Sequence, residues 1–357
     1  MMSWERNAAL DVVLSSVVPV CLFLGGVMLT AQLCLAAPSK QEPVPSILDP
    51  RSTPADAIHH LSLLVFGITI LVFLVVFTLL IYVIVRFRDR DADSRCEPAQ
   101  VYGSTQIELA WTVIPILIVV VLFLATARVI HAIQDVPKPA EALEVIAIGH
   151  QFWWEVQYSG YGFVTANELH IPVSYPTSSR PTFLKLLSAD TDHSFWVPQL
   201  AGKTDLIPNR ENEMWMDPHH TGIFLGQCAQ FCGTQHAKML LHVSVDSPEE
   251  FEVWIREQMQ SANQSSEEAK GKRVFETTAC VNCHTVAGTG AAGRFGPDLT
   301  HLMSRRTIAA GAANNTAESL KLWIQNPDAI KPGSLMPAMK LSDRDLDDLV
   351  RYLGTLR

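Results

Sequence analysis

Two long uncharged runs near the start of the chain constrain its fold most. Leu61–Val85 holds 25 residues and Leu109–Ala127 holds 19, and neither contains a charged side chain. A helix needs about 20 apolar residues to cross the hydrocarbon core of a bilayer. Both runs are therefore predicted to span a membrane, paired as a helical hairpin over residues 55–134.

The segment between the two runs is rich in arginine, with Arg86, Arg88, Arg90 and Arg95. Positively charged loops stay on the cytoplasmic side of a membrane. Everything after about residue 135 is therefore expected on the extracytoplasmic side.

Within residues 1–37, a third apolar stretch runs from Ala8, after Arg6, to the small residues Ala36 and Ala37. A basic start, an apolar core and a small-residue end are typical of a secretory signal peptide. Asp11 interrupts the start, and the run is long for a signal core. An additional N-terminal membrane segment is the alternative.

The rest of the chain divides into a β-rich and a helical part. Short β-rich runs alternate with Pro, Gly and Asn turns over residues 140–246, which predicts a β-sandwich or barrel. The clearest runs are Leu143–Ile148, Thr182–Leu187 and Leu240–Val245. A capped helix and the polar linker 261–266 fill residues 247–266, and residues 267–357 read as all-helical, ending in a helix from Ser342 to Leu356.

Charge argues against one class of partner and predicts an internal contact. The chain carries a net charge of −9, and nucleic-acid binding needs a basic surface, so we expect no nucleic-acid partner. Residues 136–267 hold 7 basic and 16 acidic residues, a net of −9, whereas residues 268–357 hold 12 and 9, a net of +3. The two soluble parts are expected to attract each other.

Soft metal ligands are concentrated in the twelve residues from Cys228 to Met239. Cys228, Cys232, His236 and Met239 offer two thiolates, an imidazole and a thioether, which suit copper. A single blue-copper centre would need only one Cys, whereas two Cys can bridge a pair of ions. A second histidine must come from elsewhere, and His193 supplies one. A zinc site is possible from the same ligand types, and a disulfide beside a core histidine is the structural alternative.

These segments resemble the copper region of cytochrome c oxidase subunit II. The similarity lies in His193-Ser-Phe-Trp-Val-Pro198, Lys203–Arg210 and Gly226–Met239. It implies a cupredoxin fold that holds a binuclear copper centre. By this resemblance Cys228 and Cys232 bridge the two copper ions. His193 and Met239 would complete one ion, and His236 with the backbone carbonyl of Gln230 the other.

The chain departs from this family at two positions. The family has Glu where this chain has Gln230, and the Glu side chain also reaches a magnesium ion. A neutral amide is a poorer ligand for a hard cation, so a bound magnesium is doubtful. The segment Gly149–Trp154 resembles the aromatic motif where electrons enter, with Phe152, Trp153 and Trp154; the family usually has Trp at position 152. Core packing is the alternative role for these rings.

The C-terminal part carries a haem attachment sequence, Cys280-Val-Asn-Cys283-His284. Two thiols at this spacing can bind both vinyl groups of one haem c, and the adjacent His can bind the iron. A Met ligand raises the potential of such a haem. Residues 268–357 resemble class I cytochromes c, which implies that Met336, before Pro337, is the second axial ligand. Met339 is the fallback.

Hairpin, cupredoxin and cytochrome c in this order resemble subunit II of caa-type haem-copper oxidases. That resemblance implies a bacterial cytoplasmic-membrane protein with subunit I, and with subunit III, as partners and with cytochrome c or another electron donor. It also puts Glu108 at the mouth of a proton channel into subunit I. No catalytic residues are evident in this chain, so dioxygen reduction belongs to the partner subunit. The alternatives are the copper subunit of a nitric oxide reductase and a membrane-tethered copper protein without a redox partner.

Overall fold

The computed structural model describes residues 44–88, 103–175, 179–262 and 269–357. The predictions for residues 1–37, for Arg90 and Arg95, and for most of the linker fall outside these residues. They remain predictions.

Two long helices form the hairpin, α1 (Thr53–Arg86) and α2 (Thr105–Gln134). Each contains one of the predicted spans and extends beyond it at both ends. Both are long and apolar enough to cross a membrane, and their Leu, Val, Ile and Phe side chains are largely exposed. Lipid is the solvent that such a surface requires.

The outer ends of both helices are fastened to the β domain. The indole Nε1 of Trp215 donates a hydrogen bond to the carbonyl of Ile133 in α2 at 2.7 Å. At the start of α1, Thr53 Oγ1 donates to Asp217 Oδ2 at 2.6 Å, and Ser52 Oγ accepts from Asp217 N at 2.9 Å. The β domain therefore sits directly on the hairpin.

Ten strands build this domain as two five-stranded sheets. Their bounds are β1 (Leu143–His150), β2 (Trp153–Tyr158), β3 (Phe163–Ala166), β4 (Glu168–Pro172), β5 (Thr182–Ser188), β6 (His193–Trp196), β7 (Thr204–Leu206), β8 (Asn212–Met216), β9 (Gly222–Cys228) and β10 (Leu240–Asp246). The sheet orders are β3-β2-β1-β5-β8 and β4-β10-β9-β6-β7. The pairs β1/β5 and β4/β10 are parallel and the others antiparallel. The predicted sandwich is confirmed.

Alternation of apolar and polar residues explains why these strands bury one face. In β1 every second residue is buried, beginning with Leu143, as the period of two in a strand requires. The two inner faces share one apolar core. Its largest fully buried side chains include Trp154, Tyr158 and Phe195.

Short helices make up the remainder. They are α3 (Pro248–Gln258), α4 (Ala269–Thr277), α5 (Cys280–Cys283), α6 (Ala317–Gln325), α7 (Pro327–Ile330) and α8 (Asp343–Leu353), with a two-stranded hairpin of β11 (Thr307–Ile308) and β12 (Ala313–Asn314). Ser247 and Glu250 form a reciprocal capping box at α3, and Ser342 caps α8 by accepting from Asp345 N. Both helix starts agree with the sequence prediction.

The crossing of α4 and α8 organises the second apolar core. A Cβ at Gly271 in α4 would lie 2.0 Å from the backbone oxygen of Asp348 in α8. Only glycine lets the two backbones approach this closely. Phe275, Leu349 and Tyr352 pack around the crossing.

Candidate copper and haem sites

The soft ligands converge at one end of the β domain. Cys228 ends β9, and His193 begins the neighbouring strand β6, which pairs with β9. The Sγ atoms of Cys228 and Cys232 lie 3.8 Å apart, and Cys228 Sγ lies 3.9 Å from His193 Nδ1. The structure thus joins a distant histidine to the cysteine loop, as the sequence predicts.

The loop between β9 and β10 supplies the other donors. Cys232 Sγ lies 3.7 Å from His236 Nδ1 and 3.9 Å from Met239 Sδ. The Gln230 carbonyl oxygen lies 3.1 Å from Cys228 Sγ. Each of the other four predicted ligands therefore has its donor atom within 4 Å of one of the two cysteine Sγ atoms, and the two cysteines are free thiols with no disulfide.

The chemistry of this donor set fits copper. His193 and Met239 are 0% exposed and both cysteines are buried, so the thiolate, imidazole and thioether donors are shielded from water. Soft ligands of these kinds favour copper, whereas hard cations prefer oxygen. His193, Cys228 and Cys232 already bring their ligand atoms within 4.8 Å of one another.

Asp190 belongs to the site but carries no signal in the sequence. Its Oδ1 accepts from His193 Nε2 at 2.8 Å, and its Oδ2 accepts from the backbone N of Gln151 at 2.6 Å. Burial alone would raise the pKa of Asp190, but these hydrogen bonds and that of Thr191 N outweigh it and lower the pKa. The carboxylate leaves His193 Nδ1 free to bind metal, the usual role of such a partner.

The thiols of Cys228 and Cys232 differ in pKa because their surroundings differ. Burial opposes ionisation of Cys228, but hydrogen bonds from His193 and from the backbone of Ser194 lower the pKa of its thiol to about 6. Burial and the adjacent Cys228 thiolate raise the pKa of Cys232 to about 12. One thiolate is thus prepared for metal, and the second is expected to lose its proton when metal binds.

The aromatic segment, Gly149–Trp154, is hydrogen-bonded to the loop between β9 and β10 (residues 229–239, the copper loop). Gln151 Nε2 donates to the carbonyl of Cys232 at 2.6 Å. Trp154 is fully buried and packs edge-on against Phe195 at 5.5 Å between centroids, whereas Trp153 is half-buried and stacks on His150 at 4.3 Å. Phe152 is buried. Trp154 is a core residue, and the other two rings face the C-terminal part.

The haem attachment residues line an apolar cavity of about 200 Å³. Cys280, Cys283 and His284 lie on one side of it, and Met336 and Met339 contribute to the same lining. The lining continues into the β domain. Its members from that domain are Gln151, Phe152, Trp153 and Asn167.

The histidine is oriented for iron binding. His284 Nδ1 donates to the carbonyl of Pro297 at 2.7 Å, which leaves Nε2 as the ligand atom. A Cβ at Gly296 would lie 2.6 Å from His284 Cε1. The segment that begins at Gly296 therefore packs directly on the His284 ring.

A buried cation in the cavity wall supports the fit to haem. Arg305 is 7% exposed, and its Nε has no hydrogen-bond partner among the described residues. A buried guanidinium with an unpaired N–H suits a carboxylate, and haem carries two propionates. Two thiols, an oriented imidazole and this arginine together fit a covalent haem.

Two predicted roles are not tested by the structure: that of the second haem ligand and that of the residue at the channel mouth. Met336 and Met339 both line the cavity, so the choice of axial ligand rests on the Met336-Pro337 sequence. Glu108 lies exposed in the first turn of α2. Its channel role remains a prediction.

A membrane hairpin, a two-sheet domain with soft metal ligands and a haem-binding helical domain define a membrane-anchored electron carrier. Family models described as "Cytochrome C oxidase subunit II, transmembrane domain", "Cytochrome C oxidase subunit II, periplasmic domain" and "Cytochrome c" match residues 45–129, 172–246 and 268–357. The chain belongs to the cytochrome c oxidase subunit II family.

Two relatives are similar to this chain over most of its length. Cytochrome c oxidase subunit 2 of Alkalihalophilus pseudofirmus is 34% identical over 317 residues, covering 87% of this chain and 90% of the relative. That of Bacillus subtilis is 32% identical over 351 residues, covering 93% and 97%. A crystal structure of the periplasmic domain of subunit II from Bradyrhizobium japonicum is 29% identical, covers 34% of this chain and 95% of that one, and has a TM-score of 0.31. The chain is thus an electron-entry subunit of a haem-copper oxidase, anchored in a membrane beside subunit I with extracytoplasmic soluble domains.

Proposed function

We propose that electrons from an external donor enter at a haem c in the C-terminal domain, pass to a binuclear copper centre, and leave for haem in subunit I, where dioxygen is reduced to water. The cavity shared by Cys283, His284, Phe152 and Trp153 carries this proposal. Because the cavity wall is common to both domains, a haem held there adjoins the segment that is bonded to the copper loop.

The ligand assignment is the one that the resemblance to cytochrome c oxidase subunit II implies. Cys228 and Cys232 would each bind both copper ions, His193 and Met239 would bind one ion, and His236 with the Gln230 carbonyl would bind the other. Cys280 and Cys283 would hold the haem covalently, and His284 and Met336 would bind its iron. These groups supply reversible one-electron transfer when bound. The protein contributes by shielding the ligands from water and fixing their orientation.

The number of copper ions bound per chain can be measured directly. The isolated β domain, loaded with copper, should bind two ions per chain and give a mixed-valence spin signal shared equally between them. One copper per chain, or zinc bound in preference to copper, would contradict the binuclear assignment. Replacing Gln230 with Glu should increase magnesium affinity, because the native amide disfavours that ion.

The remaining assignments concern topology and partners. We propose a two-pass anchor at 55–134, a cupredoxin domain at 140–246, a helix and linker at 247–266 and a cytochrome c domain at 267–357, in a bacterial cytoplasmic membrane. Subunit III and a cytochrome c donor complete the proposed complex. Glu108 would lie at the cytoplasmic edge, near a proton channel of subunit I.

Two other functions share part of this chemistry: the copper subunit of a nitric oxide reductase, and a tethered copper protein without a redox partner. Purifying the complex and identifying its large subunit separates these from the oxidase. Turnover of dioxygen but not of nitric oxide is the expected result. The proposal fails if no large subunit co-purifies or if nitric oxide is the substrate that is reduced.

A further inference from the structure

A buried carboxylate of the β domain holds backbone groups of the C-terminal domain. Glu168, at the start of β4, is 4% exposed. Its Oε1 accepts hydrogen bonds from Arg306 N at 2.7 Å, Thr307 N at 3.0 Å and Thr307 Oγ1 at 3.3 Å. Hydrogen bonds to an ionised acceptor are roughly twice as strong as neutral ones. This contact joins residues about 138 positions apart in the chain.

A buried lysine crosses the junction in the opposite direction. Lys331, directly after α7, is 3% exposed. Its Nζ donates to the carbonyl of Phe152 in the β domain at 2.6 Å and to that of Ala309 in its own domain at 3.1 Å. Lys331 also lines the haem cavity, five positions before Met336. The lysine therefore connects the methionine loop to the aromatic segment.

The two domains also meet through backbone contacts near Glu168 and Lys331. Leu240 N donates to the carbonyl of Ala310 at 3.1 Å, and a Cβ at Gly311 would lie 2.7 Å from Leu240 Cβ. Gly311 has φ +81°, a conformation that favours glycine. The chain at Ala310 and Gly311 thus lies directly against the first residue of β10.

The copper loop contributes a third set of contacts. Lys238 Nζ donates to the carbonyl of Ile330 at 2.7 Å, and Gln235 Nε2 donates to that of Pro332. Both donors flank the predicted copper ligand His236. The segment Ile330–Pro332 is therefore held on one side by the copper loop and on the other, through Lys331, by Phe152.

Buried contacts of this kind differ from a loose electrostatic encounter. Exposed charges are screened over about 10 Å at 0.1 M salt and about 3 Å at 1 M, whereas buried groups are screened much less. The net charges of −9 and +3 alone predict a salt-sensitive association. The contacts of Glu168 and Lys331 predict one that salt hardly changes.

We infer that Glu168 and Lys331 are positioning residues that hold the cytochrome domain in one fixed orientation on the copper domain, so that electrons cross within a permanent contact. This rests on the proposed order of transfer from haem to copper. It adds that the segment of Phe152 and Trp153 is covered by the chain itself, so a soluble donor must reduce the haem rather than the copper directly.

The test uses the intact oxidase and two variants with matched controls. Lys331→Met removes the amino group and keeps the apolar stem; because burying a polar group is costly, this variant is expected to fold. Glu168→Gln keeps an acceptor oxygen and removes the charge. Lys340→Met and Glu213→Gln change exposed residues of the same two domains and are the controls.

Two measurements, amide hydrogen exchange and electron transfer, test the contact independently. Hydrogen exchange at the Arg306 and Thr307 amides should be roughly tenfold to hundredfold faster in Glu168→Gln, as loss of a charge-assisted bond implies. Flash-induced haem-to-copper transfer should be independent of salt between about 0.1 and about 1 M in the native protein. It should slow in Lys331→Met and fall further as salt rises, while the controls match the native protein in both readouts.

Three results would overturn the inference: strong salt dependence in the native oxidase, unchanged exchange at Arg306 and Thr307 in Glu168→Gln, or native transfer rates in Lys331→Met. Failure of the underlying function is distinguishable. If electrons did not pass from haem to copper in the native protein, the flash signal would be absent throughout, whereas the exchange measurement would still report on the contact.

Discussion

Asp190 holds the proposed copper ligand His193 and the backbone of Gln151 together through one carboxylate. Replacing Asp190 with Asn keeps the size of the side chain but removes the charge that orients the imidazole. Loss of such a partner typically costs 10- to 100-fold in metal affinity. We expect copper to be lost to a competing chelator at a correspondingly lower concentration in Asp190→Asn.

The adjacent Asp192 provides the control, because it is exposed and has no described hydrogen bond to the site. Asp192→Asn should retain native copper affinity. Equal affinities in the two variants would show that Asp190 does not orient His193.

Single substitutions can also decide whether Met336 or Met339 is the second axial ligand of the haem. Replacing Met336 with Leu should abolish the sulfur-to-iron charge-transfer band and lower the haem potential, since a methionine ligand raises it. Met339→Leu should keep the band, because Met339 is expected only to pack in the cavity wall. A band that survives in Met336→Leu and disappears in Met339→Leu would transfer the ligand role to Met339.

The sequence predicts the roles of some functional residues but not of others. The ligands from Cys228 to Met239 lie in one loop, and their spacing predicts a site before any fold is known. Asp190, Glu168 and Lys331 give no such signal. An acid near a histidine is common, and the partners of Glu168 and Lys331 lie 138 and 179 positions away. Only the tertiary fold brings them together.

At the scale of elements, local pattern predicted where strands and helices begin but not how they pair. The alternation in Leu143–Ile148 identifies β1, and Ser342 with Asp345 identifies the start of α8. Nothing local shows that β1 pairs in parallel with β5, 39 positions on in register. That pairing depends on how the two sheets close over a common core.

The crossing of α4 and α8 yields a stability prediction. Alanine at Gly271 would gain about 1 kcal/mol of helix propensity. Its Cβ would, however, lie 2.0 Å from the Asp348 backbone oxygen, and overpacking against a rigid neighbour costs about 1–3 kcal/mol or more. The steric term should exceed the gain, so Gly271→Ala should lower the unfolding temperature of the cytochrome domain, followed by haem absorbance.

Gly290 offers the matched comparison, because a Cβ there would meet nothing within 4 Å. Gly290→Ala should leave the unfolding temperature close to that of the native chain. A native-like temperature in Gly271→Ala would mean that the two helices can separate without cost.

For the whole molecule, composition predicted the order of the domains and the attraction between two of them. The apolar hairpin, the β-rich middle and the haem motif are each readable in sequence, because each depends on local periodicity or spacing. The charge imbalance between residues 136–267 and 268–357 predicted that the soluble domains meet. It could not predict that they meet through buried hydrogen bonds, since net charge does not specify contacts.

Removing the cytochrome domain tests its role in electron entry. A chain that ends near Gln264 keeps the copper ligands and exposes Phe152 and Glu168, which the missing domain covers. In the intact chain a short tether keeps the haem at roughly millimolar effective concentration even without the buried contacts, so transfer to copper is unimolecular. The truncated oxidase must rely on collisions with a soluble cytochrome c, so its rate should depend on donor concentration and remain below that of the intact enzyme at micromolar donor. Flash-induced reduction of the copper centre in both forms, at several donor concentrations, measures this difference. If the truncated oxidase accepted electrons from soluble cytochrome c as fast as the intact one, the fused domain would be dispensable for electron entry.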